Sequence, residues 1–343
     1  MKQEKRILLL TPSFMNIYKD IIACLEKKGW LVSWIKDNQI PKNPYLKDSH
    51  FWDRKPLKRY NREVETLWRS LLSSPQYSYK YDAFLAINGL MAHPVLFEIL
   101  KNRNAEIKTI LYLYDNINGH FQVDSFFHYY NKVFSFDISD CRNYNLHFLP
   151  IYWSDSEGEE GIQYDIFGLA SLRYESQDRI NIFERVKKFA KDNNLSEYIK
   201  LVYPIDQNKY LYALKYIGLR LLGKRCFSME ELKSNDLFTN NPINPEEFRS
   251  IIQKSRIILD TQNPYQDGLT ARFMWALGLG KKIITSNMSA NKYDFYNKEQ
   301  VFVLNDNYIE LPEFVETPYR MSDAQRNLIV KYRIDNWIDT LLE

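Results

Sequence analysis

A chain of 343 residues is more than one hydrophobic core usually accommodates, so two domains are expected. The apolar fraction of 45% argues against wholesale disorder. A net charge of +3, with both signs mixed along the chain, excludes the basic footprint that nucleic-acid binding needs.

In chain order, Arg6 to Leu10 is a short apolar run closed by Thr11-Pro12-Ser13, which predicts a buried strand and a turn. Ile17, Ile21, Ile22, Cys24 and Leu25 recur at helical spacing, and Gly29 ends that helix. Leu31 to Ile35 gives the next strand, so the chain opens β-α-β with a parallel sheet. Pro41 to Pro56 reads as a loop, and Leu57 to Leu72 as a helix. A strand follows at Ala83 to Ile87, ended by Asn88-Gly89, then a helix from Pro94 to Leu100. Thr109 to Leu113, Val133 to Phe136 and His147 to Leu149 are further strands.

The alternation then restarts. Strands are predicted at Tyr164 to Phe167, Ile199 to Tyr203, Arg256 to Leu259, Lys282 to Thr285 and Val301 to Leu304. Helices are predicted at Asp178 to Lys191, Pro245 to Lys254 and Leu269 to Leu277, with a helical tail over Asp323 to Leu342. Such alternation indicates doubly wound α/β architecture in each half. The acidic, polar stretch within 150–161 is the expected boundary. The expected domains are 1–155, 156–320 and a C-terminal helix at 321–343.

Cys24, Cys141 and Cys226 are odd in number and far apart, which suits a reducing cytosol better than a disulfide framework. The apolar run near the start is too short for a signal-peptide core, and no segment reaches the roughly 20 apolar residues of a membrane helix. The expected location is therefore the cytoplasm. Thr11-Pro12-Ser13-Phe14 stands where a dinucleotide-binding glycine motif would follow the first strand, so a nicotinamide oxidoreductase is poorly supported. The histidines show no metal-ligand spacing.

Asp260 to Asn287 is the most informative stretch. A buried strand ends at Asp260, a polar loop carries Gly268, and a helix opens at about Leu269. Helix N-termini offer free N–H groups and a positive dipole end to a diphosphate. Gly268 permits close backbone approach, Thr270 adds a hydroxyl, and Arg272 adds a cation. The plain alternative is an ordinary loop–helix connection with a solvated arginine.

Gln266-x-Gly268-Leu269-Thr270-x-Arg272, the run Ala276-Leu277-Gly278-x-Gly280-Lys281-Lys282-Ile283-Ile284-Thr285-x-Asn287, and Tyr293-Asp294-Phe295-Tyr296-Asn297 resemble a bacterial family. That family comprises capsule and lipopolysaccharide glycosyltransferases related to glycosyl transferases group 1 and to CgeB-like proteins. Tyr112-Leu113-Tyr114-Asp115, Val133 to Asp137 and Phe148-Leu149-Pro150 support the resemblance in the first half. The resemblance implies a GT-B fold: two Rossmann-like αβα domains facing across a cleft, the second binding a nucleotide-sugar donor. It also implies that the tail helix packs back toward the first domain. It implies transfer to a glycan or lipid-linked glycan in surface-polysaccharide assembly. No cofactor and no metal are expected, since Asp137-Ile138-Ser139-Asp140 lacks the spacing of the usual Asp-x-Asp metal site. One departure stands out. Group 1 transferases carry a ribose-binding glutamate on the helix after the Gly-Leu-Thr turn, and Trp275 occupies that place. Indole cannot accept the two hydroxyl hydrogen bonds of a carboxylate, so Trp275 stacks on the donor or packs. An inactive module binding glycan or a partner transferase is the rival reading.

Two further groups have candidate roles. Arg173, with Arg179 at the next helix start, is placed to neutralise a leaving diphosphate, or is a surface arginine. Asp115 or His120 would serve as the base of an inverting transferase, unless Asp115 caps its turn; Asn88 and Gly89 would line the acceptor site. Lys209 to Arg225, apolar with interspersed cations, is either a buried helix whose cations snorkel outward or a peripheral contact with the inner face of a membrane.

Overall fold

A computed structural model of the chain describes residues 4–46, 55–117, 123–155, 161–173, 176–203, 216–263, 265–304 and 308–343. Two compact units emerge. The first holds Met1–Ser154, Tyr265–Leu269 and Val330–Glu343, and the second Asp155–Pro264 and Thr270–Ile329.

The first unit alternates β1 (Lys5–Thr11), α1 (Ile17–Lys27), β2 (Trp30–Lys36), α2 (Leu57–Ser73), β3 (Ala83–Ile87), α3 (Pro94–Arg103), β4 (Lys108–Leu113), β5 (Lys132–Ser135), α4 (Ile138–Tyr144) and β6 (His147–Phe148). Its sheet runs β2-β1-β3-β4-β5-β6 with every neighbour parallel. Ile7 to Leu10 of β1 and all of β3 are continuous buried apolar runs, as expected of strands in a parallel sheet covered on both faces. Tyr60, Val64, Trp68 and Leu72 form the buried stripe of α2 at helical spacing, and pack with Leu8, Leu10 and Phe84.

The second unit continues with β7 (Tyr164–Ser171), α5 (Gln177–Asp192), β8 (Glu197–Val202), α6 (Met229–Ser234), β9 (Phe238–Thr239), α7 (Pro245–Gln253), β10 (Ser255–Asp260), α8 (Ala271–Gly278), β11 (Lys282–Thr285), β12 (Val301–Val303), α9 (Leu311–Glu316) and α10 (Asp323–Ile329). Its sheet runs β12-β11-β10-β7-β8-β9, again all parallel. Ile180, Phe183, Val186 and Ala190 of α5 meet Ile166, Ile199, Leu201 and Leu259 of the sheet.

The tail expected as one helix is two. α10 gives way to a 3-10 turn at Val330–Tyr332, Arg333 is extended, and α11 (Ile334–Leu342) begins after it. α11 belongs to the first unit, where Trp337 packs on Tyr112 and Tyr152 and its indole N–H donates to the Pro150 carbonyl at 3.0 Å. Lys28 pairs with Asp339 of the same helix at 2.7 Å. Three short helices, α4, α6 and α9, had no counterpart in the apolar periodicity. α4 and α6 are held by side-chain caps, Asp137 and the Ser228/Glu231 capping box, while α9 has no such cap and buries Leu311, Phe314 and Val315.

Candidate functional site

In the second sheet the chain moves outward from β7 through β8 to β9, then restarts on the other side with β10, β11 and β12. The connections leaving β7 and β10 therefore diverge, which is the topological position where open parallel sheets bind ligands. The residues there are predominantly cationic. β7 ends at Ser171 and leads to Arg173; α5 starts with Gln177, placing Arg179 in its first turn. β10 ends at the fully buried Asp260, and Arg272 sits in the first turn of α8.

Arg179 is only 6% exposed, yet no carboxylate is within its hydrogen-bonding shell among the described residues. Its Nε donates to Thr261 Oγ1 at 3.0 Å, and its terminal nitrogens reach Ser171 O, Gln262 O and Asn263 Oδ1 at 3.0–3.2 Å. The guanidinium thus stitches the end of β7 to the end of β10. Burial, and then the like charges of Arg272 and Arg173, pull its pKa down to about 10, with Asp260 opposing. It remains a cation at neutral pH.

Asp260 is the internal counter-ion. Its Oδ1 accepts from Thr270 Oγ1 at 2.7 Å and from Arg272 Nε at 3.0 Å, and Thr285 Oγ1 lies 3.4 Å from Oδ2. Arg272 also donates to the Leu169 carbonyl. Thr270 is the N-cap of α8, accepting from Phe273 N at 3.1 Å while its hydroxyl proton goes to Asp260. Arg272 pairs with this one buried carboxylate, while Arg179 has no acid in its hydrogen-bonding shell among the described residues and feels the like charge of Arg173. That imbalance suits a polyanion, which would receive planar, bidentate donors at the end of a parallel sheet.

The other expected donor residues have different surroundings. Gly268 and Leu269 belong to the first unit. Asp137, the buried N-cap of α4, accepts from Gly268 N at 3.1 Å and Asp267 N at 2.8 Å, besides Ser139 N and Asp140 N of its own helix. A Cβ at Gly268 would stand 2.5 Å from the Phe136 ring and 2.8 Å from the Phe136 carbonyl. The close approach that needs glycine here is thus to Phe136. Leu269 is 1% exposed. Trp275 is 2% exposed, with the Arg249 guanidinium 4.4 Å over its ring and Phe248 edge-on at 6.3 Å. The indole therefore fills the core between α8 and α7 and presents no face to solvent.

In the first unit Asn88 and Asp115 come together at the ends of β3 and β4. Asn88 Nδ2 donates to Asp115 Oδ2 at 2.8 Å, and Asn88 Oδ1 accepts from Tyr114 N at 2.7 Å. Asn88 and Gly89 both have positive φ, 65° and 62°, which turns the chain sharply off β3. Asp115 is half-buried. His120 lies outside the described residues.

Sequence reasoning missed two buried carboxyl roles. It marked Asp260 as a strand end, not as the partner of Arg272; only the tertiary approach of α8 to β10 makes that pair. Asp37 directly follows β2 and accepts from Leu90 N at 2.7 Å and Met91 N at 2.9 Å, tying the end of β2 to the turn after β3. Burial pushes its carboxyl up to about 6, against the three backbone N–H bonds it receives.

No family profile matches this sequence, and no curated protein matches it. Solved structures match it in fold. A UDP-forming α,α-trehalose-phosphate synthase from Burkholderia vietnamiensis superposes with a TM-score of 0.60 at 10% identity, over 98% of each chain. An E. coli structure described as trehalose-6-phosphate bound with UDP-2-fluoro glucose gives 0.55 at 12% identity, over 98% of each chain. An α-glucosyltransferase in complex with UDP and a 13-mer DNA gives 0.51 at 12% identity, covering 98% of this chain and 94% of that one. With its two parallel six-stranded sheets, the chain has the GT-B fold.

Proposed function

We propose that this protein is a glycosyltransferase that moves a sugar from a nucleotide-sugar donor to a glycan acceptor in surface-polysaccharide assembly, capsule or lipopolysaccharide. The observation that carries the reading is the arginine cluster at the switch point of the second sheet. Arg272 pairs with the buried Asp260, and Arg179 lies within the electrostatic reach of Arg272, Arg173 and that acid, where a donor diphosphate would leave as a dianion. Preorganised cations of this kind stabilise the charge that develops on the leaving phosphate, so no metal is required of the mechanism. Thr270 is committed to Asp260 and to capping α8. Its contribution is to hold Asp260, the partner of Arg272. The neighbours of like fold that carry UDP or a UDP-sugar analogue support a nucleotide-sugar donor. The polysaccharide role rests on the sequence resemblance to capsule and lipopolysaccharide transferases.

The first unit is assigned the acceptor, with Asn88 and Gly89 shaping the turn after β3 and Asp115 as the base if the reaction inverts. Asn88 donates to one Asp115 oxygen and so orients the carboxylate. Asp115→Asn should lower turnover by about 10²–10⁴-fold with donor affinity unchanged. A rate equal to wild type removes Asp115 from the chemistry and makes His120 the next position to substitute.

Screening UDP, GDP, CMP and dTDP by thermal shift tests the donor assignment directly, since a ligand of the native state raises the melting temperature in proportion to the logarithm of its saturation. Activity that survives EDTA is expected; complete loss restored by manganese or magnesium would refute a metal-free mechanism. A buried Trp275 where the resemblance places a ribose-binding glutamate favours the rival reading, an inactive module that binds glycan or a partner transferase. Turnover of a nucleotide sugar by the purified chain rejects that rival; tight nucleotide binding without any turnover supports it.

A further inference from the structure

Residues 216–221 are helical, and two opposite faces of this short helix are apolar. Tyr216 and Leu219 pack against the core of the second unit. Ile217 and Leu221, four residues apart and so on one face, point the other way: Ile217 is 54% exposed, Leu221 83% and the adjoining Leu222 74%. The sequence allowed a buried helix with cations snorkelling outward. In the described part the cations do reach solvent, but so do Ile217, Leu221 and Leu222 on the face away from the core.

This face is fixed in place by its surroundings. Gly223, with φ +69°, closes the helix in a Schellman arrangement: Gly223 N donates to Arg220 O at 3.0 Å and Lys224 N to Leu219 O at 2.9 Å. Just beyond, Arg225 forms a two-pronged ion pair with Glu184 of α5, at 2.6 and 2.5 Å. Cys226 and Phe227 then re-enter the core. The apolar ledge thus projects from a well-anchored turn.

Its charge is one-sided. Residues 216–225 contain Arg220, Lys224 and Arg225 and no acid. Arg220 and Lys224 are both exposed beside the leucines. Among the described residues, Glu184 is engaged by Arg225 and Glu231 by the Ser228 backbone N–H at 2.6 Å. A second copy docking about a twofold axis would set Arg220 and Lys224 against their own counterparts.

We propose that this ledge docks the protein on an anionic lipid bilayer, with Ile217, Leu221 and Leu222 seated at the acyl boundary and Arg220 and Lys224 among the headgroups. An amphipathic surface element with cations flanking its apolar side binds in the plane of the interface, and each cation there adds attraction to anionic lipid. The inference stands apart from the sugar-transfer reading, since none of its residues belongs to the arginine cluster.

The test is co-sedimentation of the full chain with phosphatidylcholine vesicles and with vesicles that also contain phosphatidylglycerol, at low and high salt. Wild type is expected on the phosphatidylglycerol vesicles, less so at high salt. Leu221→Glu combined with Leu222→Glu should lower the partition coefficient at least about tenfold. Arg220→Gln and Lys224→Gln should each lower it about fivefold, on anionic vesicles only. All variants should keep the wild-type melting temperature, because every substituted side chain is exposed. Wild type left in the supernatant with phosphatidylglycerol overturns the proposal, as does equal partition of wild type and the leucine variant. Loss of self-association in the leucine variant, seen by sedimentation velocity without vesicle binding by wild type, overturns it in favour of a contact between copies.

Discussion

Arg272 shows how a sequence argument changes once partners are visible. A cation in the first turn of a helix opposes the dipole, and from sequence alone that suggests an anionic ligand to offset it. The structure supplies the offset internally, through Asp260. Removing Arg272 therefore leaves a buried carboxylate with only hydroxyl donors, and Arg272→Ala should cost about 3–5 kcal/mol of stability. Adding Asp260→Asn to that variant should recover part of the loss; simple additivity in urea denaturation would mean that the pair is uncoupled. Arg173 is the better probe of binding. It is half-buried and enters the cluster through its charge on Arg179. Arg173→Ala should weaken the matching nucleoside diphosphate about 10- to 150-fold, with little change in stability. Calorimetric titration checks this, and equal affinities would exclude Arg173 from the donor site. Trp275 belongs at this scale too. Its burial makes Trp275→Ala a packing defect of about 3–5 kcal/mol, while Trp275→Phe, if folded, should bind nucleotide as wild type does.

Among elements, strands and long helices were legible because continuous apolar runs and a 3.6-residue stripe are local signals. Ala83–Ile87 was placed to the residue, and the Leu57–Ser73 helix within one. The tail was not, because the break at 330–333 comes from Arg333 adopting an extended backbone, and its apolar spacing still reads as helix. Gly268 was legible as a residue that something approaches closely; which group approaches was not, since Phe136 lies more than a hundred residues earlier in the chain. Asp37 gives an element-level prediction. Its raised pKa means that the folded state takes up the proton more readily than the unfolded chain. Its contribution is therefore greatest below the unfolded value near 3.9, and is lost as pH rises through about 6. Between pH 7 and 5 this should stabilise the wild type by about 1 kcal/mol relative to Asp37→Asn. Measuring the difference matters because His93, whose pKa is lowered by burial, acts with the opposite sign in the same window. A difference that does not vary with pH would show that Asp37 is not titrating there.

For the whole molecule, the doubly wound pattern and the existence of two sheets followed from the alternation restarting after residue 161. The strand order within each sheet did not, because parallel neighbours are set by crossovers that leave no periodicity in the sequence. That order is what singles out β7 and β10 as the flanks of the proposed donor position. A bound nucleoside diphosphate should accordingly slow amide hydrogen exchange at the ends of β7 and β10 and in the first turn of α8. Protection confined to β1, β3 and β4 would relocate the nucleotide to the first unit.

The return of α11 to the first unit has a consequence for synthesis. Trp337, Ile338 and Leu341 are fully buried there, and Trp337 stands against Tyr112 and Tyr152, which were translated long before it. At about 5–20 residues per second, the ribosome takes roughly 10–40 s to add the intervening chain. A first unit that folds during that interval does so without the indole that packs on Tyr112 of β4. The order of completion on the ribosome is thus inverted relative to the order of translation: the earlier unit closes last.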